Sequence, residues 1–138
     1  MKNQVLSIAQ MRHLRDLGVD TSRASMCWLH MNLLDEKFVL TVNDQYARDA
    51  DVELIPAFTL QDIINMLPEE VPCRYARYPL GKACLELGKD YAGYSYTDMN
   101  DEHDYEVYFG GHEDILVEVY NLLCWCAENG YLNNNQTK

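Results

Sequence analysis

The chain lacks the features that mark membrane proteins, secreted proteins and zinc modules. No apolar run approaches the roughly 20 residues that span a bilayer, and the N-terminus has no long apolar core typical of a signal peptide. The five cysteines are odd in number and follow no zinc or redox spacing, so free thiols in a reducing compartment are expected. These absences predict a cytoplasmic protein that does not contact membranes.

Signatures of catalysis and cofactor binding are also missing. The sequence contains no glycine-rich phosphate loop, HExxH, CxxC or GxSxG. Segment 98–104 has the oxygen donors of a calcium loop, but His103 replaces the glycine and Phe109 the glutamate that such a loop needs. We therefore predict an acidic hairpin loop, no cofactor, no metal site and no catalytic residue. A hydrolase or metal-assisted enzyme is an alternative, which requires a pocket gathering at least two of His30, His103 and His112.

Basic residues are scarce, which argues against direct binding of a nucleic-acid backbone. Eleven Lys and Arg stand against 22 Asp and Glu, giving a formal net charge of −11, whereas phosphate contacts need clustered cations. Segment 98–118 holds eight acidic residues and no Lys or Arg. Such a run is typical of a solvated face; alternatively it is an acidic surface that meets a basic partner or imitates DNA.

The strongest helical pattern runs from Gly110 to Gly130. Acidic residues in its first turn suit the helix dipole, and the final glycine suits a left-handed C-cap. Trp125 projects to the polar side of this helix, together with Glu118. Either another helix or the C-terminal tail packs over Trp125, or the ring is an exposed anchor for a partner. One broad apolar face is formed by Ile115, Val119, Leu122, Leu123 and Cys126.

The remaining chain predicts two shorter helices and several strands. Capping boxes at 7–10 and 59–62 predict helices that end at Gly18 and before Pro68. At 138 residues and 48% hydrophobic content, the chain is long enough to bury a core as one domain. The prediction is an α+β domain over residues 1–132, with an antiparallel sheet of about four to six strands and a polar tail over 133–138. N-terminal, middle and C-terminal helices pack on one sheet face. Strands are predicted over 24–31, 38–42, 52–55, 74–78, 82–88, 91–97 and 104–109.

Seven of the ten tyrosines lie between residues 75 and 108. The alternation of apolar residues predicts an inward set of Ala83, Leu85, Leu87, Tyr105, Val107 and Phe109. Tyr108 then points to the other face, and Tyr94 and Tyr96 join it. An aromatic surface edged with carboxylates suits a protein partner or a sugar-like ligand, and Trp125 is a further candidate contact. Alternatively, the tyrosines form cross-strand pairs that stiffen the sheet.

Three stretches resemble a group of short uncharacterised proteins encoded in gut-bacterial genomes and their phages. They cover about a third of the chain, at residues 6–14 through 19–26, 55–62 and 121–131. The resemblance brings no activity, cofactor or catalytic residue with it. It implies a mobile-element context, in which small accessory proteins often act by binding other proteins. The combined prediction is a small acidic, non-enzymatic accessory protein that binds a protein partner; the alternative is a DNA-mimic inhibitor of a nucleic-acid-binding protein.

Overall fold

A computed structural model describes residues 4–31, 38–42, 52–75, 78–98, 103–111 and 113–132. The chain divides into two compact units, Met1–Asn65 and Met66–Lys138, here called the first and second units. The elements in chain order are α1 (Ile8–Asp16), β1 (Met26–Met31), β2 (Val39–Val42), β3 (Val52–Ala57), α2 (Leu60–Met66), β4 (Glu70–Tyr75), β5 (Tyr78–Leu87), β6 (Tyr91–Asp98), β7 (His103–Gly111) and α3 (Ile115–Glu128).

Helix α1 begins and ends at the signals that the sequence carries. The Ser7 N–H donates to Gln10 Oε1 at 2.8 Å, and the Gln10 N–H donates to Ser7 Oγ at 3.2 Å, so the predicted capping box is confirmed. Gly18 has a φ of 90°, and the Val19 N–H donates to the Leu14 carbonyl. This positive φ favours glycine and closes the helix as predicted.

The first unit contains a three-stranded antiparallel sheet in the order β2-β1-β3. Trp28 in the central strand pairs with Leu40 on one side and Ile55 on the other, and its Nε1–H donates to the Leu6 carbonyl at 3.0 Å. The predicted hairpin of β1 and β2 is confirmed. The largest fully buried side chains of this unit are Leu6, Met11, Leu14, Cys27, Phe58 and Ile63.

Asp62 connects α2 to the start of β1. Its carboxylate accepts hydrogen bonds from the N–H and hydroxyl of Ser25 at 2.9 and 2.5 Å, and from the Thr59 N–H at 3.0 Å. The Asp62 N–H donates to Thr59 Oγ1 at 3.1 Å, so this capping box is also confirmed. Partial burial raises the pKa of Asp62, but the hydrogen bonds from Ser25 and Thr59 lower it more, and the net pKa is below its usual value.

We expect Asp62→Ala to lower the free energy of unfolding by about 2 kcal/mol at neutral pH, because it removes a cap and the bonds to Ser25. Gln61→Ala, on the exposed side of the same helix, is the matched control and should cost under about 0.5 kcal/mol. A depressed folded pKa gives stability that is present above the unfolded value of 3.8 and lost as pH falls below it. In urea unfolding, the difference in the free energy of unfolding between wild type and Asp62→Ala should therefore be smaller at pH 3 than at pH 7. An equal difference at the two pH values would contradict this.

The second unit contains a four-stranded antiparallel sheet in the order β4-β5-β6-β7, with α3 packed on β6 and β7. The predicted strand over 74–78 is wrong, because β4 ends at Tyr75, β5 begins at Tyr78, and these two residues pair with each other. Gly130 has a φ of 77°, which confirms the predicted C-cap. Of the predicted helix face, four side chains are buried, namely Val119, Leu122, Leu123 and Cys126.

The α+β class and the antiparallel pairing of the strands are confirmed. The strands are distributed over two sheets of three and four rather than over one. Alternation in a sequence identifies which residues are buried but not which strands are neighbours, so it cannot distinguish these arrangements. The single domain over residues 1–132 stays a prediction, and the tail over 133–138 lies outside the described residues.

Candidate functional site

An aromatic cluster joins α3 to the four-stranded sheet. The centroid of the Trp125 ring lies 5.1 Å from that of Tyr108, 5.2 Å from that of Tyr131 and 6.0 Å from that of Tyr94. Tilted rings at these distances attract through their quadrupoles as well as through buried area. Trp125 is half-buried and Tyr131, which follows the helix, packs on it. Trp125 thus faces the sheet tyrosines and is partly covered by Tyr131, so its predicted place on the polar side of the helix is wrong, and its role as a partner contact stays a prediction.

The Tyr94 side chain is fully buried, with 0% exposure. Its hydroxyl donates a 2.6 Å hydrogen bond to the Pro68 carbonyl, and the Cys126 thiol makes a weak 3.9 Å contact with the hydroxyl oxygen. Burial raises the pKa of Tyr94, and the neighbouring Cys126 raises it further. The expectation that Tyr94 lies on an open tyrosine surface is wrong, because it pairs with Leu85 and both face the helix.

A β-bulge in β7 explains why the alternation fails along that strand. Tyr94 of β6 pairs with Tyr108, whereas the next residue, Ser95, pairs with Glu106. Val107 is therefore an extra residue of β7 that pairs with no residue of β6. Because side chains alternate with a period of two, one extra residue reverses inside and outside beyond the bulge.

The bulge corrects the predicted positions of two aromatic residues. Phe109 was expected to point inward but is 51% exposed. Tyr108 was expected to point outward but packs on Trp125. Burial raises the pKa of Tyr108, and the negative charge of Glu118 raises it further. Tyr96, two residues along β6 from Tyr94, lies on the same helix side and is half-buried. The predicted tyrosine surface therefore belongs mainly to the packing between sheet and helix.

The side of the four-stranded sheet opposite α3, here called the open face, carries a different set of residues. Tyr91 stacks on Phe109, with 5.7 Å between ring centroids and 22° between ring planes. Gly93, which is buried, lies between Glu86 on one side and Phe109 on the other in the register of the sheet. Strand register sets two rows on this face: Glu86, Gly93 and Phe109 in the first, and Glu70, Cys84, Ser95 and Glu106 in the second.

Exposed charge on the open face is mainly negative. Among the open-face side chains that the structure describes, Glu70, Glu86 and Glu106 are exposed, against one exposed cation, Lys82, which pairs with Pro72 of β4. An exposed aromatic pair beside carboxylates combines apolar contact area with negative charge, and both features suit a cationic side chain. The sequence pattern missed this face because it assigned Phe109 to the core.

Glu118 is the one buried charged residue of the described chain, with 3% exposure. Its Oε2 accepts a 2.9 Å hydrogen bond from the Glu113 N–H, and its other oxygen lies against Gly110. The helical pattern placed Glu118 on the polar side, which is wrong because a backbone donor and the space above a glycine accommodate its carboxylate. The glycine pair before the helix is the only sequence signal that points to this arrangement.

We expect alkaline pH to destabilise the second unit. Burial raises the pKa of Cys126 to about 11 and that of Tyr120 to about 12. A raised folded pKa gives stability that is fully present below the unfolded pKa, 9.0 for Cys126, and is lost as pH rises through the folded value. Cys126, whose side chain is fully buried, should cost about 1.4 kcal/mol per pH unit between its two pKa values.

Urea unfolding between pH 8 and pH 11 measures this loss. Cys126→Ala removes one of the groups whose pKa is raised, and it should unfold with a shallower dependence on pH than the wild type above pH 9. Cys84→Ala is the matched control, because Cys84 is exposed on the open face. Equal pH slopes for wild type and Cys126→Ala would contradict the prediction.

Within the described residues, no group of three or more His, Cys, Asp and Glu side chains is placed to hold a metal ion. His30 packs against Phe38, with 4.9 Å between ring centroids, while His112, the His103 side chain and loop residues 99–102 lie outside the described part. The pocket that the enzyme alternative requires is thus not tested. No described helix is both long and apolar enough to span a membrane.

No protein-family model matches this chain, and no curated protein or solved structure is significantly similar to it.

Proposed function

We propose that this chain is a small acidic, non-enzymatic accessory protein that acts in the cytoplasm by binding a basic protein partner through the open face. The observation that carries the proposal is the exposed Phe109 ring, stacked on Tyr91 and separated from Glu86 only by Gly93. This arrangement places an exposed apolar ring in the same row of the sheet as an exposed carboxylate. The resemblance to gut-bacterial and phage proteins suggests a mobile-element context.

The three residues of the first row match the chemistry of a lysine or arginine side chain. Such a side chain has an apolar stem and a charged head, and it commonly lays the stem on apolar surface while the head stays polar. On the open face, the stem packs on the exposed Phe109 ring. The head then meets the Glu86 carboxylate, and the Phe109 and Tyr91 rings offer their negative faces.

Net charge favours the same kind of partner. With a formal charge of −11, the protein repels acidic surfaces and attracts basic ones over roughly a Debye length of 8–10 Å. Charge of this kind mostly raises association rates and selects between partners, while buried aromatic anchors supply more of the affinity. We therefore assign anchoring to Phe109 and selection to the carboxylates.

We expect Phe109→Ser to weaken partner binding about tenfold or more, because an aromatic anchor is lost. Val42→Ser is the matched control: Val42 is 59% exposed against 51% for Phe109, and it lies in β2 of the first unit. Wild type, Phe109→Ser and Val42→Ser are each used to capture proteins from a lysate of the native host, and mass spectrometry quantifies what each one binds. The partner sought is a protein that wild type and Val42→Ser retain and Phe109→Ser loses. Calorimetry with that purified partner then measures the affinity change.

Charge reversal tests the chemistry of the partner. Glu86→Lys should weaken binding by a similar factor, and raised salt should weaken wild-type binding more than Glu86→Lys binding. Because Phe109 and Glu86 are exposed, both variants should unfold at nearly the wild-type temperature. Unchanged affinity for both variants would reject the open face. A partner that binds nucleic acid, and that duplex DNA displaces from this protein, would favour the DNA-mimic alternative instead.

A further inference from the structure

The first unit contains a cleft that is separate from the open face and independent of the proposed function. It has a volume of about 550 Å³, within the range of small-molecule sites. Its apolar lining comes from Val19 in the loop between α1 and β1, from Cys27 in β1, and from Leu54 and Pro56 in β3. Cys27 pairs with Pro56 across the two strands, so sheet backbone fixes the floor.

Two charged side chains of opposite sign line the same cleft. Arg15 comes from the last turn of α1 and Asp20 from the loop that follows, and both are exposed. Asp20 Oδ1 accepts hydrogen bonds from the Ser22 N–H at 3.0 Å and the Ser22 hydroxyl at 2.7 Å. These bonds hold the loop and lower the pKa of Asp20, so its carboxylate is ionised at neutral pH.

The lining charges cancel, which decides the kind of ligand that fits. A net anion gains from Arg15 and loses to Asp20, and a net cation does the reverse. A ligand with one charge of each sign satisfies both, while an apolar group on the same molecule covers Val19 and Leu54. We propose that this cleft binds a free amino acid with a large apolar side chain, its carboxylate on Arg15 and its ammonium group on Asp20.

The test is a titration of the purified protein with L-leucine, followed by amide chemical shifts. We expect saturable shifts at residues 15–27 and 54–56 at concentrations up to about 10 mM. Leucinamide, which lacks the carboxylate, and 4-methylpentanoate, which lacks the ammonium group, should each bind about fivefold more weakly, since each loses one solvent-exposed ion pair. The absence of saturable shifts at these residues would overturn the proposal.

Variants assign each ligand charge to its residue. Arg15→Gln should weaken leucine about fivefold but should not weaken leucinamide, whose positive charge Arg15 repels. Asp20→Asn should weaken leucine but should not weaken 4-methylpentanoate, whose negative charge Asp20 repels. Asp20→Asn keeps an oxygen that accepts from Ser22, so the loop is retained. Arg12→Gln, on the same helix but outside the cleft, is the control and should bind like wild type. Equal leucine affinity in Arg15→Gln and Arg12→Gln would reject the site.

Discussion

Replacing Tyr94 by alanine should cost about 3–5 kcal/mol of the free energy of unfolding, the largest loss expected from a single substitution in the second unit. Tyr94 is the largest of the fully buried side chains, so its removal leaves a cavity beneath α3. The substitution also takes away the hydrogen bond to the Pro68 carbonyl and one ring from the cluster around Trp125. A domain with ordinary stability of about 5–15 kcal/mol would lose a large part of it.

Tyr94→Phe is the matched control, because it keeps the ring and removes only the hydroxyl. It should cost about 1–2 kcal/mol, chiefly because the Pro68 carbonyl loses its hydrogen bond. Urea unfolding followed by Trp fluorescence measures both variants, since Trp125 lies 6.0 Å from Tyr94 between ring centroids. If Tyr94→Ala unfolded within about 1 kcal/mol of the wild type, the packing described for this ring would be incorrect.

This expectation changes how any binding experiment must be designed. A variant that replaces Tyr94, Tyr96 and Tyr108 together would lose partners because it unfolds, and the loss would not locate a surface. Substitutions on the open face, at Phe109 and Glu86, separate binding from folding because both side chains are exposed. Substitutions on the helix side of the sheet thus test folding, whereas substitutions on the open face test binding, although the two sets of residues alternate along the same strands.

Local sequence signals predicted the local structure well. The capping boxes at Ser7 and Thr59 and the C-cap at Gly130 each involve residues within a few positions of one another. Such bonds depend on nearby atoms alone, so a short sequence window contains the information. The inward set of β5 was also correct in Ala83, which is fully buried.

The candidate site was not predictable in the same way, because it depends on strand register. Pairing of Leu85 with Tyr94 decides which side of the sheet the tyrosine occupies, and the bulge at Val107 decides where Phe109 points. The alternation of apolar residues does not fix the register of a hairpin, and a one-residue bulge has no composition signal. The pairing of β1 with β3, which builds the cleft floor from Cys27 and Pro56, joins residues that are far apart in the chain.

Gly93→Ala should lower the free energy of unfolding by about 3 kcal/mol, at the upper end of the usual cost of overpacking. An added Cβ at Gly93 would overlap the Tyr108 carbonyl oxygen and come within 3.1 Å of the Phe109 Cα. These are backbone atoms of the neighbouring strand, and they cannot rotate away as a side chain can. The strands β6 and β7 would have to separate just where the bulge already interrupts their pairing.

Gly111→Ala is the matched control for Gly93→Ala. There the nearest atom to an added Cβ is the edge of the Phe109 ring at 3.1 Å, and this exposed ring has room to move. Its expected cost is under about 1 kcal/mol, although both glycines lie on the open face and both substitutions add one methyl group. Thermal and urea unfolding of the two variants would show this difference if close backbone approach at Gly93 sets the spacing of β6 and β7. Equal stabilities would instead mean that the strands adjust freely, and that the distance between Glu86 and Phe109 on the open face is not fixed by Gly93.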